Sequence, residues 1–117
     1  MTGDGPARTE RGRGRGGGLT WVRQKTVFDF HLIFSDWHEQ DLRAHLRRDR
    51  NSPSVIMWSI GNEVGEQYTG TNGAALAKTL CDIVREEDPT RPTTTAMNWA
   101  QATNPLPATV DIIGLNY

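Results

Sequence analysis

The chain has 117 residues, a formal net charge of −1, 36% hydrophobic residues and a mean hydropathy of −0.58. That length suits one small domain and excludes a self-contained (β/α)8 barrel, which takes about 250 residues. It has no run of ~20 apolar residues to span a membrane, its one Cys rules out a disulfide framework or a multi-Cys zinc site, and its near-neutral charge gives no global pull toward nucleic acid or an anionic membrane.

Charge and glycine are unevenly spread. Residues 1–27 hold six Lys/Arg against two acids, whereas residues 28–117 hold seven against twelve. Seven of the twelve Gly fall in the first 18 residues, and Arg11–Gly18 reads RGRGRGGG. Such a stretch has no apolar surface to bury, so nothing offsets the entropy of ordering it. Residues 1–26 are expected to be a disordered Arg/Gly-rich tail, and residues 27–117 the folded part. An Arg/Gly tail can bind single-stranded nucleic acid through phosphates, but this one is short and has no interleaved aromatics, so no nucleic-acid partner is expected. No secretory signal is visible, which leaves the cytoplasm as the default location.

The elements follow in chain order. Val27–Phe34 is apolar-rich and fits either a strand or a packed loop. Asp36 is placed as an N-cap with Glu39 three residues on, opening a helix that runs to about Arg48 and buries Leu42, His45 and Leu46. Asp49–Pro53 has turn chemistry. Ser54–Ile60 is a short continuous apolar run stopped by Gly61, the pattern of a strand buried on both faces. A loop leads to Thr71 or Asn72 as cap of a helix over 73–87, with Leu76, Leu80, Ile83 and Val84 as its stripe; Pro89 and Pro92 close it. Residues 93–97 and 110–115 are the next strands, separated by a loop with Pro105 and Pro107. Strands alternating with helices predict an α/β fold with a parallel sheet. Three such strands with open edges look like part of something larger.

In parallel α/β folds, functional groups gather at the carboxyl ends of strands. Asn62 and Glu63 stand there, directly after the buried run. A partly desolvated carboxylic acid at such a place suits general acid work, and a neighbouring amide suits binding a sugar hydroxyl. On position alone the blander role, capping the following loop, is the favoured one.

The longer string Arg48–Val64, RDRNSPSVIMWSIGNEV, closely resembles a signature stretch of glycoside hydrolase family 2. Asp36–Arg43, Glu86–Pro92 and Asp111–Tyr117 resemble the family's neighbouring stretches in the same order, the last in its β-galactosidase-like branch. The resemblance covers residues 28–117. It implies a partial (β/α)8 TIM barrel, with residues 54–60, 93–97 and 110–115 as the fourth to sixth strands. It also implies Glu63 as the general acid/base, Asn62 as a sugar-binding amide, and Tyr117 as the tyrosine after the sixth strand. Trp99 follows a strand end, where an aromatic ring can stack on a sugar, and is the remaining substrate-binding candidate. The implied reaction is hydrolysis of a β-linked glycoside with retention, with no cofactor and no metal.

Ser52 departs from the family pattern, which often has His there. Retention needs a second carboxylate about 5–5.5 Å from the first, and in the family this nucleophile follows the seventh strand. The chain alone is therefore expected to be inactive. A noncatalytic carbohydrate-binding remnant and the Arg/Gly tail as a nucleic-acid binder are the alternatives; oligomeric state is open. Other motifs carry less. His38-Glu39 opens like a zinc-protease helix, but Leu42 stands where the second His belongs. Cys81 reads as a small buried residue, and Trp21, Trp37 and Trp58 as core.

Overall fold

A computed structural model describes residues 8–10 and 34–116. The expectations for the rest of the tail, for Val27–Ile33, for Trp21 and for Tyr117 fall outside the described residues. The order is strand β1 (Arg8–Glu10), helix α1 (Phe34–Asp49), strand β2 (Met57–Asn62), helix α2 (Thr71–Glu87), and strands β3 (Thr93–Met97) and β4 (Ile112–Leu115). One four-stranded sheet runs β1-β2-β3-β4. The pairs β2–β3 and β3–β4 are parallel, as the alternation of strand and helix predicts.

Strand β1 is antiparallel to β2, with Thr9 opposite Trp58. These three residues lie within the stretch expected to be a tail, and here they are extended and paired. A buried strand such as β2 leaves a row of backbone N–H and C=O groups on its free edge, and any extended segment can satisfy them.

The core lies between the sheet and the two helices. Trp58 and Ile60 of β2 meet Leu42 and Leu46 of α1 and Ala77, Leu80, Cys81 and Val84 of α2, all fully buried. Trp58 and His45 meet in a T-shaped contact with ring centroids 6.0 Å apart. Trp37 corrects its core assignment: it is 46% exposed. It lies around the helix from the stripe formed by Phe34, Leu42, Leu46 and Asp49. Cys81 is buried with its thiol 3.6 Å from the Thr93 hydroxyl, and burial pushes that thiol's pKa up.

Several element boundaries differ from those read in the sequence, each for a local reason. Helix α1 begins at Phe34, so Asp36 lies inside its first turn, where the helix dipole favours a carboxylate. Phe34 stacks on His38 with ring centroids 4.8 Å apart, and His38 Nδ1 donates to the Phe34 carbonyl at 2.8 Å. Glu39 accepts from Arg43 instead of completing a capping box. Strand β2 starts at Met57 because Arg91 claims the carbonyls of Arg50, Ser52 and Val55. It continues through Gly61 to Asn62 by way of a bulge opposite β3. Helix α2 starts at Thr71, preceded by Gly70 with φ 61° and ψ −129°. That backbone suits glycine and makes a side-chain cap unnecessary for the turn. Two 310 turns, Gly65–Tyr68 and Leu106–Thr109, occupy stretches read as loop.

Candidate active site

Asn62 is the last residue of β2 and Glu63 the first beyond it. Both are half-buried. Glu63 has φ 50°, a left-handed backbone unusual for a residue with a Cβ. Its N–H donates to the Ala96 carbonyl of β3 at 2.7 Å, which ties the strained residue to the neighbouring strand. The bulge between Ser59 and Asn62 and this left-handed turn together set the direction in which the Glu63 side chain leaves the sheet.

Asn116 follows β4, and its N–H donates to the Met97 carbonyl. Its side-chain amide nitrogen lies 2.9 Å from Asn62 Oδ1 and 2.9 Å from Glu63 Oε1. An amide nitrogen carries two protons, so each acceptor can receive its own. The structure therefore joins the carboxyl ends of β2, β3 and β4 around one carboxylate and two amides. Asn116 had no assigned role in the sequence. It stands just after an apolar strand, the same signal that marked Asn62.

Trp99 sits two residues past the end of β3 and is 38% exposed. Its ring packs at 5.1 Å and 41° against Tyr68, itself 52% exposed. Beneath them lies Gln67, almost wholly buried. Gln67 Nε2 donates to Asn98 Oδ1 at 2.7 Å, and Gln67 Oε1 accepts from the Trp99 N–H. Asn104 closes the arrangement by donating to the Gln67 carbonyl at 2.8 Å. Tyr68 and Gln67 belong to the 310 turn that the sequence left as loop, so this support was not visible there.

Several of the other described acids are engaged elsewhere. Glu87 meets Arg43, Arg47 and Arg50 at the carboxyl end of α2. Asp88 binds the indole N–H of Trp58 and the guanidinium of Arg91. Asp111 binds the backbone N–H and hydroxyl of Thr93. These contacts lie at the amino end of the sheet, opposite Glu63. Glu66 is buried in the 310 turn. His38 and His45 are taken up by Phe34 and by Trp58 and Asp49.

A buried parallel strand that releases an amide and a carboxylate at its carboxyl end, beside two further parallel strands, matches the arrangement in one sector of an α/β barrel. The model of the TIM barrel domain of glycosyl hydrolases family 2 matches residues 33–114. The chain belongs to glycosyl hydrolases family 2 and carries part of its TIM barrel. It is 35% identical to "Beta-galactosidase BoGH2A" of Bacteroides ovatus over 83% of this chain and 15% of that protein. It is 33% identical to human "Beta-glucuronidase" over 74% of this chain and 13% of that protein. Among solved structures it is similar to a glycosyl hydrolase family 2 member from Bacteroides cellulosilyticus, with a TM-score of 0.76 and 35% identity over 84% of this chain and 13% of the other. The chain thus spans about one-seventh of the length of the first of these relatives.

Proposed function

We propose that this chain carries the acid/base side of a retaining β-glycosidase site, of the β-galactosidase-like kind. Glu63 protonates the glycosidic oxygen as the bond to the leaving group breaks, and afterwards activates the water that releases the sugar. Asn62 binds a hydroxyl of the sugar beside the scissile bond. Trp99 and Tyr117 are further substrate-binding residues, Trp99 by stacking on a sugar face. The observation that carries the reading is the convergence of Asn62, Glu63 and Asn116 at the ends of adjacent parallel strands, in a chain of this family.

The 117 residues alone are proposed to lack turnover. Retention needs a second carboxylate beside the first, and the described acids other than Glu63 sit at the opposite end of the sheet, on α1 or α2, or in the 310 turn. No hydrolysis of aryl β-galactosides or β-glucuronides by the purified chain is expected. Hydrolysis with retention that disappears in Glu63→Gln would overturn that proposal.

The acid/base role is tested by grafting residues 34–116 in place of the matching stretch of the B. ovatus β-galactosidase. In an active graft, Glu63→Gln should lower kcat/KM for an alkyl β-galactoside by ~10²–10⁴-fold. The loss should be far smaller for a dinitrophenyl galactoside, whose leaving group departs without a proton. Equal activity on both substrates before and after the substitution would remove Glu63 from the role.

A further inference from the structure

The side-chain amide of Asn116 is shared between the two residues at the end of β2. One nitrogen lies 2.9 Å from Glu63 Oε1 and 2.9 Å from Asn62 Oδ1. Its backbone is anchored separately, through the N–H bond to the Met97 carbonyl at the end of β3. The amide thus stands on a fixed support and spends both its protons on two acceptors from another strand. Glu63 is held in turn by its own N–H bond to Ala96. An amide N–H can only donate. The carboxylate oxygen that faces it is kept as an acceptor, and a proton arriving on the carboxyl group is directed to the other oxygen.

We infer that Asn116 is a positioning residue that makes Oε1 of Glu63 the permanent acceptor and Oε2 the oxygen that carries the transferable proton. The inference deepens the reading of Glu63 as the acid/base and rests on it. An acid that must protonate one particular oxygen of a bound substrate works only if its proton sits on the correct side of the carboxyl plane. Through the second hydrogen bond Asn116 also fixes Asn62, so the acid and the sugar-binding amide keep one relative geometry.

The test uses the side-chain ¹⁵NH₂ resonances of Asn116 in the 117-residue chain, assigned with Asn116→Ser. Both protons should exchange at least about tenfold more slowly than those of the exposed Asn72 amide. Acidifying the sample until the resonance of the proton facing Glu63 stops moving should leave it away from the position of a free amide, because Oε1 still accepts when Oε2 is protonated. Asn62→Ala should release the other proton alone; Asn62→Ser serves the same end if the alanine variant does not fold. The inference is overturned if the Glu63-facing proton moves to the free-amide position at low pH, which would place the acid proton on Oε1. Fast exchange of both protons at every pH, in a folded or an unfolded chain, overturns it as well. None of these readouts involves turnover. A failure here is therefore separate from a failure of the acid/base reading, which the grafted enzyme reports.

Discussion

Asp88 shows how one carboxylate can be made to hold a strand start. It is 5% exposed, and burial on its own would favour the neutral acid. Hydrogen bonds from Thr90, Arg91 and Trp58 outweigh that effect and hold its pKa at about 2, against an ordinary 3.8. The charged form is therefore the one the fold stabilises. Its contribution is complete above the unfolded value of 3.8 and disappears as the pH falls through about 2. The difference corresponds to about 2 kcal/mol. Asp88→Asn is expected to destabilise the chain by that order near neutral pH, measured by urea unfolding, with the gap from the parent closing toward pH 2. A gap that stayed constant with pH would assign the effect to packing around Trp58 instead of to charge.

At the scale of elements, α1 and α2 are joined by an acid held among arginines. Glu87, in the last turn of α2, takes hydrogen bonds from Arg43 and Arg47 of α1 and from Arg50 just beyond it. The hydrogen bond from Arg47 is the largest of the effects that lower its pKa. Glu87→Gln would leave three guanidinium groups close together without the central negative charge. The melting temperature should fall, and the fall should shrink with added salt, since screening relieves the repulsion between the arginines. Arg43 is also held by Glu39 and Glu86, so it is the arginine of this group best placed to stay put. These contacts join residues about forty positions apart, and nothing in the local pattern around Glu87 announces them. The elements themselves were more legible. Leu42 with Leu46, and Leu80 with Val84, mark the helices by their spacing, and the apolar run at residues 54–60 marks β2. Asn62 and Glu63 were legible because polar residues interrupt the chain where that run ends. Asn116 and the Gln67 support were not, because their meaning depends on partners from other elements. The caps failed for a similar reason: Thr71 and Asn72 are good capping residues, yet the backbone of Gly70 already makes the turn.

Seen whole, the molecule separates its tasks between the two ends of the sheet. The amino end is closed by ionic and charged hydrogen bonds through Asp88, Arg91, Asp111 and Glu87. The carboxyl end gathers amides around Glu63 and leaves Tyr68 and Trp99 open. Among the described residues, strand β4 is an open edge of the sheet. Ile112 and Ile113 are exposed, and Leu115 is 75% exposed. An apolar edge strand with unpaired backbone groups is a template for pairing with a second chain. Sedimentation velocity should show association that grows with concentration and weakens in a double variant, Ile113→Lys with Leu115→Lys. A monomer at all concentrations would mean that this edge is silent. The left-handed backbone of Glu63 bears on how such a sequence would change over time. Position 63 favours glycine or asparagine by about 1 kcal/mol over any longer side chain. Mutational drift governed by folding alone would therefore replace the glutamate well before it touched the buried leucines. A lineage released from the need for a carboxylate would lose this residue while keeping the sheet, so position 63 is the place to read whether related chains still make use of the site.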